Sequence, residues 1–106
     1  MNTLYEYDLY YPLTQQSGER SPEATFDTTK KQLTEFFGGL TDFRHRSEGA
    51  WKFGGVTYRD EIILLRMLAS DRDAAREFLA KMQSELESSL GEEHILIIER
   101  EVRSLL

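Results

Sequence analysis

From Phe36 to Arg66 the chain passes through a helix stop, a polar stretch, an aromatic strand and a strongly apolar strand. No other part of the sequence constrains the fold as much. Phe36-Phe37 close an apolar helical pattern at Gly38-Gly39, where glycine takes the left-handed C-cap conformation without a Cβ penalty. Thr41 to Glu48 reads as a loop carrying Arg44, His45 and Arg46, followed by a short strand around Ala50 to Phe53. Gly54-Gly55, set between Trp51/Phe53 and Val56/Tyr58, predicts a two-residue hairpin turn, because the favoured turns need positive φ. Val56 to Leu68 is long and rich in Ile and Leu, which places it at the centre of a sheet. Its alternation turns Ile63, Leu65 and Met67 toward the helices and Tyr58, Asp60, Ile62, Leu64 and Arg66 the other way.

The flanking segments complete the pattern. Leu4 to Tyr11 alternates as a half-buried strand, with Tyr5, Tyr7, Leu9 and Tyr11 on one side and Leu4, Glu6, Asp8 and Tyr10 on the other. Gln15 to Glu19 is a polar turn; Ser21-Pro22 then reads as N-cap and first helical residue, with Phe26, Leu33, Phe36 and Phe37 at near-helical spacing. Ser70 with Asp73 resembles a capping box ahead of an apolar stripe of Ala74, Ala75, Phe78, Leu79, Met82, Leu86 and Leu90, ended by Gly91. Ile95 to Val102 is the last strand and Arg103 to Leu106 a tail. The order βαββαβ within one domain, residues 1–106, predicts an α+β, ferredoxin-like fold: a four-stranded antiparallel sheet with both helices on one face. The other face then carries Leu4, Tyr10, Ile62, Leu64 and Ile98, which are too apolar to sit comfortably in water. A homodimer packing sheet against sheet, or pairing edge strands, would bury them; a C-terminal tail or a loop folded over them is the intramolecular alternative. Glu6, Asp8 and Arg66 share that face, so a cross-strand ion pair is expected, or a polar centre within an apolar dimer cavity.

Composition removes several function classes. With 106 residues there is room for one core, and 40% apolar content can fill it. The net charge of −6 opposes long-range attraction to nucleic acid or anionic lipid. The absence of cysteine excludes disulfides, thiolate catalysis and thiolate metal sites. No apolar run approaches the ~20 residues that span a bilayer, and Glu6 and Asp8 interrupt any export signal, so a soluble cytoplasmic protein without a membrane association is expected.

The run Phe-Gly-Gly-Leu-Thr (Phe37 to Thr41), then Glu-Gly-Ala-Trp (Glu48 to Trp51), Gly-Gly-Val (Gly54 to Val56) and Asp60-Glu61 before an apolar strand resembles a group of small uncharacterised bacterial proteins. That resemblance implies no activity. The fold it implies is similar to that of the dimeric α+β barrel proteins, which include small-molecule-binding and oxygenase members.

Arg44, His45 and Arg46, with Trp51, Tyr58 and Arg59, are candidates for gripping an anion and stacking on a ring, although a solvated loop accounts for the same cluster. Asp60 and Glu61 are candidates for proton handling, but strand neighbours point to opposite faces, and either would need a raised pKa. His94 after Glu92 and Glu93 lacks a partner at ligand spacing, so neither a metal nor another cofactor is expected. The tyrosine-rich first strand lacks the interleaved basic residues of an RNA platform, and neither glycine pair precedes a helix as phosphate loops require. The expected role is a non-enzymatic, homodimeric binding or regulatory protein for a small polar or aromatic ligand. A cofactor-free enzyme using the two-sheet cavity, and an acidic adaptor or inhibitor meeting a basic protein partner, are the alternatives.

Overall fold

The computed structural model describes the backbone of residues 2–15, 17–53 and 56–106 and, outside 44–53 and 56–61, their side chains. Its elements are β1 (Asn2–Pro12), α1 (Glu23–Phe37), β2 (Thr41–Phe53), β3 (Val56–Ala69), α2 (Arg72–Leu90) and β4 (Ile97–Ser104). The strands form one antiparallel sheet in the order β2-β3-β1-β4, so β1 and β3 are central, as the ferredoxin-like pattern requires.

Alternation along the two central strands decides where the core lies. Tyr7, Leu9 and Tyr11 of β1 and Ile63, Leu65 and Met67 of β3 turn to one face, where they pack with Leu33 of α1 and Ala75, Leu79, Met82, Leu86 and Leu90 of α2. Both helices cover this face because each offers its apolar stripe to it. Phe26, Phe37 and Phe78 border the core; Phe36 stands half out of it, stacked on Phe78 at 4.1 Å. Ala74, grouped with the stripe in the sequence, is exposed.

Helix ends follow local hydrogen bonding more closely than composition. Gly38 and Gly91 both adopt the left-handed conformation and donate their N–H to Thr34 and Glu87 respectively, closing α1 and α2 where the sequence predicts. The N-termini differ from expectation by one residue each. Ser21 does not cap α1; its hydroxyl donates to the Pro12 carbonyl at 2.7 Å, and Pro22 takes the N-cap place without a side-chain acceptor. Asp71, not Ser70, caps α2, accepting the Ala74 N–H at 3.0 Å.

Three strand boundaries also need correction. The predicted loop from Thr41 to Glu48 is part of β2, which pairs with β3 from Thr41 opposite Arg66 to Phe53 opposite Val56. Its polar composition hides a strand whose ladder is built from backbone groups supplied by the apolar β3 beside it. The ladder is irregular between Phe43 and Ser47: residues 44–46 oppose Ile63 alone. The predicted turn at Gly54-Gly55 lies outside the described residues. β4 begins at Ile97; Ile95 is instead a core residue of the connection, its N–H held by Glu87 at 2.9 Å and its carbonyl by Gln83 at 2.6 Å. Arg103 and Ser104, read as tail, belong to β4. Among the described residues no helix is long and apolar enough to cross a membrane.

Replacing Asp71 by alanine removes an acceptor for the first turn of α2 and lowers unfolding free energy by about 1 kcal/mol, measured by urea denaturation. Ser70→Ala leaves the urea midpoint unchanged; equal losses in both variants would restore Ser70 as the cap.

Candidate functional site

The face of the sheet opposite the helices concentrates the described chemistry. Register places Asp8 directly across from Arg66 of β3, and Glu6 directly across from Arg100 of β4. The side chains also reach diagonally. Arg66 binds Asp8 in a fork, Nε to Oδ1 at 2.8 Å and Nη2 to Oδ2 at 3.1 Å, while its Nε lies 2.9 Å from a Glu6 oxygen. Arg100 Nη1 donates to Asp8 Oδ2 at 2.6 Å and stands 3.5 Å from Glu6.

Two carboxylates and two guanidiniums therefore form a neutral set across three strands. Asp8 is its anchor, with 1% of its surface exposed, whereas the Arg66 and Arg100 side chains remain 35% and 45% exposed. Burial opposes ionisation of Asp8, but the hydrogen bonds from Arg66 and Arg100 outweigh it and hold the carboxyl below the usual carboxylate range. The Phe43 ring lies 5.1 Å from the Arg66 guanidinium, so an aromatic face backs the charged set.

Apolar side chains flank this band at both ends. Leu4, Val102 and the half-exposed Leu68 lie toward the start of β1; Leu64, Phe43, Tyr10 and Ile62 lie toward its end. The C-terminal residues do not cover them. Leu105 and Leu106 are 84% and 98% exposed, and the Leu106 carbonyl accepts from Asn2 Nδ2 at the margin of the sheet.

A second ion pair lies on the helix side. Arg76 of α2 grips Glu99 of β4 through Nε and Nη2 at 2.8 and 2.6 Å, and the buried Tyr7 hydroxyl donates to the same carboxylate at 2.8 Å. Arg76 and then, against the opposing effect of burial, Tyr7 hold Glu99 down to about 2. Burial, followed by donation to Glu99, pushes Tyr7 up to about 12, which excludes Tyr7 as a base near neutrality.

The sequence-predicted residues divide by strand. Arg44, His45 and Arg46 sit at the β2 irregularity instead of in a loop, and the backbone pairs Trp51 with Tyr58, Ala50 with Arg59, Gly49 with Asp60 and Glu48 with Glu61. Their side chains lie outside the described residues, so the structure brings together their strands and no more. Irregularities of this kind recur at sheet edges and beside active sites. The expected cross-strand pair of Glu6, Asp8 and Arg66 is present, and Arg100 joins it. Alternation of β4 against β1 was the signal that could have found Arg100, had the strand been given its register. His94 is exposed, and among the described residues no three metal-ligating side chains gather.

Comparison with protein-family models, with curated proteins and with solved structures returns no match.

Asp8→Asn halves the charge attraction while keeping shape, and should reduce stability by about 2 kcal/mol; the loss stays below that of a fully buried pair because both arginines can regain water. Urea unfolding at neutral pH measures it. Asp8 and Glu99 have folded pKa values below their ordinary values of 3.8 and 4.5. The native state consequently binds fewer protons than the unfolded state in acid, and stability present above those values is lost as pH falls, for Glu99 between about 4.5 and about 2. The urea midpoint should drop over this window, and Glu99→Gln should flatten part of the drop.

Proposed function

We propose that this protein is a homodimeric binding module of the dimeric α+β barrel type, in which two copies pack their helix-free sheet faces around the Glu6–Asp8–Arg66–Arg100 set. The observation that carries this reading is the polarity pattern of that face: apolar, charged and neutral in sum, then apolar again. A two-fold axis lying between two such faces and running along or perpendicular to the charged band would set the band against its copy and the apolar flanks against each other. Leu105 and Leu106, 84% and 98% exposed, do not bury themselves against the patch, which speaks against the C-terminal tail as its cover.

Within such a dimer the part-exposed guanidiniums of Arg66 and Arg100, with the Phe43 ring 5.1 Å from Arg66, would offer donors and an aromatic face to a small polar or aromatic molecule. The Asp8 clamp fixes both guanidiniums, so little side-chain freedom remains to be lost on binding. The basic trio at the β2 irregularity, Arg44 to Arg46, extends the same strand and is the proposed second contact of the ligand.

Native mass spectrometry of gently purified protein tests the assembly and any retained small molecule together. A dimer is expected at micromolar concentration. Leu68→Glu and Phe43→Glu, at positions 47% and 37% exposed in the single chain, should convert it to monomer with the far-UV circular dichroism unchanged. A wild-type monomer across that range would overturn the reading.

A further inference from the structure

We propose that the free edge of β4 is a self-complementary docking strand for the β4 of a second copy, paired antiparallel across a two-fold axis at Val102. This interface is distinct from the helix-free face and stands whether or not that face also associates. β4 is the outermost strand on its side of the sheet, and its ladder with β1 runs unbroken from Asn2 opposite Ser104 to Leu9 opposite Ile97. Neither a proline nor a bulge blunts it. Its charges are the remaining guard, and their order decides which strand they admit.

Hydrogen-bond parity identifies the groups on offer. The Tyr10 N–H donates to the Leu96 carbonyl at 3.0 Å, and directly bonded pairs recur at every second residue of an antiparallel ladder. Ile98, Arg100, Val102 and Ser104 therefore direct their backbone groups to β1. The N–H and carbonyl groups of Ile97, Glu99, Glu101 and Arg103 point off the sheet. An antiparallel copy has to match these outward residues with its own, which requires the two-fold axis to pass through a residue and not between two.

Charge then selects the residue. An axis at Glu99, Arg100, Glu101 or Arg103 sets that charge against its own copy, which destabilises a cross-strand pair. An axis at Ile97 or Ile98 carries the ladder back to Ile95, whose N–H and carbonyl are already held by Glu87 and Gln83. An axis at Ser104 sets Arg103 opposite Leu105 and gives its charge no partner. Val102 remains. There Glu101 and Arg103 of one copy stand opposite Arg103 and Glu101 of the other, so the same pairs exchange backbone bonds and join opposite charges. Glu101 and Arg103 are exposed and enter no ion pair among the described residues. Val102 meets its copy at a closely spaced, non-hydrogen-bonded position on the helix-free face, beside Leu4. Glu99 does not obstruct the edge, because Arg76 draws its side chain toward α2.

The segment Glu101-Val102-Arg103 is thus the complement of its own reverse, which favours a second copy over an unrelated extended chain. Pairing joins two four-stranded sheets into one, with the helices of both copies on the same side. A ladder this short buries less area than a standard stable interface, so the association is weak and emerges at high concentration.

Sedimentation equilibrium of the Leu68→Glu variant from about 10 µM to about 1 mM tests the edge with face-to-face association removed. Reversible dimers are expected at the upper end. In that background Glu101→Arg and Arg103→Glu should each weaken self-association by at least about tenfold, because each turns both symmetry-related pairs into like charges. Mixing the two variants in equal amounts should restore association, since each supplies the charge the other lacks; a damaged fold would give no such recovery. Amide hydrogen exchange should show protection of the Glu101 and Arg103 N–H groups rising with concentration while that of Val102, already bonded to β1, stays constant. If Leu68→Glu leaves a face-to-face pair intact, the same charge variants read the step from dimer to tetramer. Absence of any concentration-dependent association, indifference to Arg103→Glu, or no recovery on mixing would overturn the proposal, whereas failure of the face-to-face reading shows separately, as a wild-type monomer at micromolar concentration.

Discussion

A carboxylate with 1% of its surface exposed stands on the central strand of the sheet, on the face that no helix covers. The organisation of that face follows from Asp8. An isolated buried carboxylate would protonate or unfold its strand, so it has to be met by donors from both neighbouring strands. Arg66 comes from β3 and Arg100 from β4, each placed by a register that also puts Tyr7, Leu9 and Tyr11 into the core on the opposite side. A slip of one residue would bury Glu6 and Asp8 among the helices and expose three aromatic and aliphatic side chains. Charge pairing and core packing consequently select the same register from opposite faces.

The fold was legible because two periods are written clearly. Period two in β1 and β3 identifies Tyr7, Leu9, Tyr11, Ile63, Leu65 and Met67 as one face, and the α2 stripe supplies what covers it. Gly38 and Gly91 mark helix ends by backbone need alone. Less legible were positions where side chains compete for backbone groups. Ser21 and Ser70 look like caps, but Ser21 is drawn to Pro12, and Asp71 takes the place expected of Ser70. The polar start of β2 carries no alternation to read, since its pairing depends on a strand that follows it in sequence.

The candidate site was partly legible for the same reason. Glu6, Asp8 and Arg66 share parity on two strands whose pairing the topology fixes, so their meeting could be expected from sequence. Arg100 and the Arg76–Glu99–Tyr7 cluster depend on the register of β4 and on the rotation of α2, which composition does not specify. The bridge of Thr14 to Arg20 lies in a connection that reads from sequence only as a polar turn. Parity finds partners across strands; it does not find partners between layers.

The placement of β1 has a consequence for how the molecule comes to exist. Its Asp8 waits for Arg66 and Arg100, which lie 58 and 92 residues further along the chain. While the polypeptide is being synthesised, β1 is an alternating, tyrosine-rich strand whose two edges are filled in turn, by β3 with Arg66 and only later by β4 with Arg100. The helix between β1 and β2 can form early, but the sheet cannot close around its own centre. The sheet is therefore completed beside β1, and a nascent protein stalled before β4 leaves one edge of that strand open to pairing with another chain.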